Sequence, residues 1–341
     1  MHKKEIDMKF LVAGLGSIGR RHLRNLIALG EKDILLFRTH QASLPDADLA
    51  GFPVEIDLQK ALAAKPDAVI ISNPTSLHLK IAIPAAAAGC SLLVEKPLSV
   101  DEECLAELQQ ALTTNKKECL VGFQFRFHPV FQQIERWVKA GRIGKVISAS
   151  VYWGEYLPGW HPWEDYRTSY SARQDLGGGV VLTLCHPIDY LRWMLGEVEA
   201  VSAFSGKVSE LELQVEDVAE ITLQHTSGAV SHIHLDYFRQ PKRHDLEITG
   251  SSGTITWDER VGKAGWYDAS TEQWTFYEPP LGFERNALFL EEMRHFLAIL
   301  SGNAQPVCSL EDGMRVQKII AAVYKSSNED QRKIVLWDEG K

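Results

Sequence analysis

Residues 92–98 read LLVEKPL, which sets Lys96 between the carboxylate of Glu95 and Pro97 at the end of an apolar strand. An ammonium at such a place is costly to desolvate, so it needs a partner or a task. Earlier in the chain, Gly14-Leu15-Gly16-Ser17-Ile18-Gly19 spells G-x-G-x-x-G between an apolar run and a helical pattern. Spaced glycines let backbone N–H groups approach a pyrophosphate at the positive end of a helix. Gly14, Gly16, Ser17, Ile18 and Gly19 are therefore expected to bind a dinucleotide, with a plain tight turn as the alternative. The second strand ends Phe37-Arg38-Thr39-His40, without the carboxylate that accepts from a ribose 2′-hydroxyl. Arg38 and Thr39 suit a 2′-phosphate instead, which favours NADP(H) and leaves NAD(H) open; a solvated surface arginine is the alternative. Among Arg20, Arg21 and Arg24, one is placed to face the phosphates and the rest a solvated face.

The elements around these residues alternate. MKFLVA, DILLFR, DAVIISN, SLLVEK and ECLVGFQF read as strands with apolar centres. Between them lie helical patterns: one carries Leu23, Leu26 and Ile27 on one face and stops at Gly30, and another, LHLKIAIPAAAAG, stops at Gly89 with Pro84 placed to kink it. Ser99 and Glu102 form a capping box for a helix through Leu112. Such alternation predicts a parallel sheet covered on both faces over residues 1–122.

Residues 123–341 differ. After a helix at 128–140 come KVISASVYW, VEAVSAFSGKV, VAEITLQH, AVSHIHLDYF and HDLEITG, close to period two and rich in β-formers, and helical patterns return at 180–195, 286–300 and 310–325. This predicts a large, mostly antiparallel sheet with one face free for packing or association.

With 341 residues, 45% hydrophobic and 24% charged, the chain suits two folded domains and has no apolar run long enough to cross a bilayer. The net charge of −9 speaks against nucleic-acid partners. The five cysteines are scattered with no CxxC pair, which favours a reducing cytoplasm over a disulfide framework or a zinc site. His232, His234 and Asp236 alternate on one strand face, a spacing more typical of a polar sheet face than of a metal site, and no metal is expected.

Taken together, GLGSIG, Ser72-Asn73-Pro74-Thr75-Ser76-Leu77-His78, Glu95-Lys96-Pro97, Gly177-Gly178-Gly179, and His186 with Asp189 resemble the Gfo/Idh/MocA family of oxidoreductases, and the likeness covers nearly the whole chain. The resemblance implies a Rossmann doubly wound parallel sheet followed by an α+β domain whose open sheet joins subunits into a homodimer or homotetramer. It implies hydride transfer between nicotinamide and a carbon of a sugar, sugar acid or cyclitol. Asn73, Pro74 and His78 would then lie along the cofactor, and Glu95 would fix Lys96 beside it.

Such chemistry needs a group to give or take the proton on the reacting oxygen. Lys96 and His186 suit that role; their alternatives are an ion pair with Glu95 and a satisfied core histidine. Many relatives carry an aspartate three or four residues before the histidine, where this chain has Leu182 and Thr183. Thr183 is left to bond substrate, and Asp189 either orients the imidazole or sits on a helix surface. Tyr156 and Trp160 in the aromatic stretch 152–167 are candidates to stack on a sugar ring, and Arg126 and Arg167 to receive a substrate carboxylate or phosphate, unless the stretch packs at a subunit interface. A non-catalytic regulator of the same fold and an NAD-dependent glycoside hydrolase remain rival readings.

Overall fold

Apolar runs that carry no polar alternation can only be strands covered on both sides, and β1 (Lys9–Ala13), β4 (Ala68–Ile71) and β5 (Ser91–Glu95) are buried almost throughout. The computed structural model describes residues 8–39, 49–328 and 334–336. They divide into two compact units, Met1–Gln124 with Glu284–Met314, and Phe125–Phe283 with Arg315–Lys341.

In the first unit, β2 (Asp33–Phe37), β3 (Val54–Glu55) and β6 (Cys119–Gly122) complete a six-stranded parallel sheet in the order β3-β2-β1-β4-β5-β6. The order reverses between β1 and β4, and a ligand crevice belongs outside the carboxyl ends of strands at such a switch point. Helices α1 (Ser17–Ala28), α2 (Leu58–Ala63), α3 (His78–Ala87) and α4 (Leu105–Asn115) connect the strands. The capping box at Ser99 does not form. Ser99 Oγ bonds the Asp101 carbonyl, Asp101 accepts from Glu103 N, and α4 starts only after Cys104 in a left-handed conformation at φ 61°. Residues 284–314 return to this unit: α8 (Asn286–Leu300) packs on α1, where Asn286 Nδ2 donates to Asn25 Oδ1 at 3.1 Å. Val121 N donates to Cys308 O at 2.9 Å, which blocks the open edge of β6.

In the second unit nine strands form one sheet: β7 (Val146–Gly154), β8 (Val198–Gly206), β9 (Val218–His225), β10 (Val230–Asp236), β11 (Arg243–Gly250), β12 (Gly253–Asp258), β13 (Ala264–Asp268), β14 (Gln273–Tyr277) and β15 (Ile334–Val335). Only β7 and β10 run parallel to each other; every other pairing is antiparallel. Period two decides the faces: Val151, Trp153, Ile221, Ile233, Leu246 and Ile255 are buried on one face. That face is covered by α5 (Pro129–Lys139), α6 (Val180–Thr183) and α7 (His186–Leu195). On the other face Phe204, Glu220, His234, Tyr152 and Asp245 stand in one cross-strand row. α9 (Leu310–Asn328) contributes its first turn to the first unit and the rest to the second.

Helix α7 is held by charge as well as packing. Arg126 Nη2 donates to Asp189 Oδ1 at 2.7 Å and Arg126 Nε to Asp189 Oδ2 at 3.0 Å, with side chains only 4% and 1% exposed. A buried fork of this kind balances its own desolvation, and removing one partner strands the other. Asp189→Ala should therefore cost about 3–5 kcal/mol, read as a lower denaturant midpoint. Asp189→Leu combined with Arg126→Met should recover most of that loss; a double variant as weak as the single one would assign the effect to packing rather than charge.

Candidate active site

The glycine loop follows from close approach. Gly14 has φ +87°, and a Cβ there would lie 2.6 Å from Asn73 N; a Cβ on Gly19 would lie 1.8 Å from the Gly14 carbonyl oxygen. Only glycine lets β1, the loop and α1 meet this tightly. Gly16 is the N-cap of α1 without a side-chain cap, and a Cβ on it would meet nothing within 4 Å. The first N–H groups of α1, from Ser17 and Ile18 onward, thus end on an open cradle, as a pyrophosphate requires. Asn73 Oδ1, buried and without a hydrogen-bond partner among the described residues, adds a polar atom next to this cradle. The residues present fit a dinucleotide.

The arginines of α1 do other work. Arg20 is buried and its Nε donates to Leu15 O at 2.9 Å, pinning the loop, while Arg21 lies over the Phe289 ring at 4.4 Å; only Arg24 is exposed. At the end of β2, Arg38 is 8% exposed with its N–H on the Glu55 carbonyl at 3.1 Å, and Thr39 is exposed. His40 lies outside the described residues.

The loop after β4 is stitched to its neighbours. Ser72 Oγ reaches the Ala13 and Gly14 carbonyls at 3.0 and 2.9 Å, and Pro74 precedes the turn Thr75–Leu77. His78 places Nε2 against Asn73 O and Nδ1 against Pro97 O, both at 2.9 Å. Burial pushes this imidazole below its ordinary value, against the two carbonyls that favour its charged form. With its ring fully enclosed, His78 ties the Asn73 loop to the Glu95-Lys96-Pro97 turn.

Lys96 follows β5, half-buried, and its peptide bond to Pro97 is cis. Glu95 is buried; its Oε1 accepts from His22 Nε2 at 2.8 Å and its Oε2 from Lys96 N at 3.3 Å. Burial works to raise this carboxyl, but the His22 hydrogen bond and the charges of His22, Lys96 and His78 outweigh it and hold Glu95 below the usual carboxylate range. The glycine loop, Asn73, Glu95 and Lys96 thus gather at the carboxyl ends of β1, β4 and β5 in the first unit.

In the second unit His186 opens α7, 3% exposed. Its ring stacks on Trp153 with centroids 5.7 Å apart and takes the Phe125 ring edge-on at 5.0 Å. Thr183, also buried, ends α6 with its N–H on Gly179 O at 2.9 Å. Both oxygens of Asp189, one turn further along α7, accept from Arg126. Arg126 itself is buried, with Nε and Nη2 turned to that carboxylate. Arg167 is met on the surface by Asp165 at 2.7 Å and Glu212 at 3.0 Å. Trp160 sets its ring edge-on to Tyr237 at 5.6 Å, with Nε1 buried and lacking a partner among the described residues, and Tyr156 is exposed. His234 is held between Glu220 at 2.6 Å and Asp236 at 3.0 Å, and His232 bonds Thr222, so these strand residues are part of a polar ladder.

Three residues around the site were not singled out from sequence. His22 and Glu292 join Glu95 in a buried group in the first unit. Glu216 accepts from Val181 N at 3.2 Å and from Tyr324 Oη at 2.9 Å, fixing the start of α6. The helical period carried a signal for Glu292, which falls on the inward stripe with Phe289, Met293 and Phe296; nothing in the spacing pointed to Glu216.

Known proteins supply the remaining finding. Residues 8–123 match the oxidoreductase family with NAD-binding Rossmann fold, and residues 131–256 match the GFO/IDH/MocA C-terminal domain. Inositol 2-dehydrogenase of Rhizobium meliloti is 23% identical over 341 residues, spanning 96% of this chain and 99% of that protein. Myo-inositol 2-dehydrogenase of Thermotoga maritima is 27% identical over 348 residues, spanning 96% and 98%. The structure of levoglucosan dehydrogenase in complex with NADH and levoglucosan superposes with a TM-score of 0.85 at 20% identity over 96% of this chain and 99% of that one, a likeness of fold. With both halves of the sequence matched and the glycine cradle at the switch point, the chain belongs to the Gfo/Idh/MocA family of oxidoreductases.

Proposed function

We propose that this oxidoreductase transfers a hydride between a nicotinamide nucleotide, NADP(H) in preference to NAD(H), and a carbon of a sugar, sugar acid or cyclitol. Lys96 and His186 exchange the proton on the reacting oxygen. The observation that carries the reading is the placement of Lys96 directly after β5, in one cluster with the glycine cradle and Asn73. The relatives named for inositol and the structural neighbour named for levoglucosan support the substrate class.

The bound nucleotide would supply or accept the hydride; the rest falls to the chain. Lys96 carries a flexible ammonium whose charge acts on the Glu95 carboxylate, and such a group is suited to steady an oxygen that gains negative charge. His186 is walled by Trp153 and Phe125, which exclude water from one side of the imidazole ring. Thr183 is a hydrogen-bonding group without basic character at neutral pH, so no carboxylate shares the proton work at this turn. Trp160 and Tyr156 provide aromatic surface for a ring with apolar faces. Assembly as a homodimer or homotetramer would cover the outer sheet face, where Phe204 stands exposed in the polar row.

Lys96→Ala should lower kcat by about 10²–10⁴-fold while nucleotide affinity, measured by fluorescence titration, stays near the wild-type value. His186→Ala should lose activity on the same scale. A wild-type protein that binds nucleotide but gives no nicotinamide absorbance change with any polyol would instead support a regulator; aglycone release without net cofactor turnover would support a hydrolase.

The absence of a carboxylate at the end of β2 and the arginine in its place support the phosphate preference. NADPH should bind more tightly than NADH, and Arg38→Ala should weaken NADPH alone, by about 10–100-fold for a lost charge-assisted contact worth roughly 1.5–3 kcal/mol. Equal affinities for the two nucleotides in the wild-type protein would defeat the preference.

A further inference from the structure

Glu292 is a buried acid of the first unit with no offsetting hydrogen bond among the described residues. It sits in α8 at 0% exposure, between Phe289 and Phe296 on the inward stripe. Its carboxyl faces the His22–Glu95 pair, and one ligand atom of each of the three residues lies within 4.8 Å of the others.

Two carboxylates so close together in a buried site resist both being ionised. Position decides which one keeps the proton. Glu95 is met by His22 Nε2 at 2.8 Å and by Lys96 N at 3.3 Å. Further positive or proton-bearing groups reach it from Arg21 on α1 and His78 on α3. Arg285 precedes α8 and acts on Arg21, and on β6 the backbone of Gly122 lies against Glu95 without charge. Glu292 has apolar neighbours and the negative charge of Glu95 before it, and burial followed by that charge drives its pKa well above the usual carboxylate range. A divalent cation is the other way to offset two acids here, but Lys96 and Arg21 already bring positive charge to Glu95.

We propose that Glu292 is a positioning residue for Lys96: it holds one proton in a buried cluster with His22 and Glu95, so that Glu95 is the one carboxylate of the pair that carries negative charge next to the lysine. The inference rests on the catalytic reading of Lys96. A neutral Glu292 leaves Glu95 ionised and able to fix the backbone of Lys96, and it fills the space between α8 and α1 with a hydrogen-bonding group that carries no charge. Loss of its proton would put a second negative charge into the same volume and disturb that hold.

The test uses the full-length enzyme and starts with stability, which does not depend on turnover. A carboxyl whose pKa is raised on folding contributes stability that is present below its unfolded value and lost as pH rises toward the folded one. Relative to Glu292→Gln, the wild-type protein should therefore lose stability above about pH 4.5, at up to tenfold in the unfolding equilibrium per pH unit. A flat difference for Glu292→Gln would overturn the proposal.

Activity then separates positioning from packing. Glu292→Gln should keep kcat and the position of the kcat/KM pH profile, because it mimics the protonated acid. Glu292→Leu should lower kcat about tenfold or more at unchanged nucleotide affinity, and Glu95→Gln should move the limb that Lys96→Ala abolishes by roughly one pH unit. A Glu292→Gln profile displaced as far as that of Glu95→Gln would show a charged Glu292. Wild-type kcat in Glu292→Leu would remove the positioning role. Stoichiometric divalent metal in the purified enzyme, lost on Glu292→Gln, would replace the proton with a cation. Absence of turnover in the wild-type protein would be a failure of the dehydrogenase reading, visible separately from the stability arm.

Discussion

A carboxylate that ends a wholly buried strand must be neutralised by its surroundings, and in this chain that need organises the first unit. Glu95 stands at the last position of β5 and is met by His22 from α1 and by the backbone of Lys96. The imidazole of His78 binds the next residue, Pro97, to the Asn73 loop, which in turn rests on the glycine turn through Ser72. One electrostatic requirement therefore ties together the ends of three strands. Each polar contact is worth about 0.5–1.5 kcal/mol on its own, but a missing one would leave an uncompensated charge in an apolar layer, and that asymmetry makes the arrangement rigid.

The second unit solves a similar problem differently. Its inner layer is aromatic, with Phe125, Phe131, Trp153, Tyr190 and Trp257 packed around His186 and His244. Burial pushes the His244 imidazole well below its ordinary value, with the charges of Lys242 and His128 acting in the same direction, so it serves as a neutral ring stacked on Trp153. The Arg126–Asp189 fork is the charged element of this layer, and by holding the first turns of α7 it holds His186 at the start of that helix. Asp189 thus supports the histidine through the helix they share.

What the sequence discloses is what periodicity and local stereochemistry encode. Unbroken apolar runs gave β1, β4 and β5, strict alternation gave β7 and β9 to β11, and the glycine spacing gave the β1–α1 turn, because each depends on residues within a few positions of one another. Pairings set by the tertiary fold left no such mark. Arg126 and Asp189 are separated by 63 positions, and His22 and Glu95 by 73, with no spacing rule to join them. The local rule at Ser99 also failed, because the hydroxyl that could have capped a helix was already used by the turn before it. The amphipathic period of α8 was readable, but a stripe of Phe289, Met293 and Phe296 says only that a face is buried, not against which strand or helix.

The return of residues 284–314 has a consequence for how the molecule could be dissected or recombined. The polypeptide passes between the two units at positions 124, 283 and 314, so the nucleotide-binding half is discontinuous in sequence and the other half is, for the most part, an insertion within it. A fragment ending at Gln124 would bare the side of α1 that α8 shields, together with the Cys308 contact that closes β6. Genetic exchange of the larger unit between relatives thus has natural splice points on both sides of residues 125–283, and any excised nucleotide binder has to carry the later helix along.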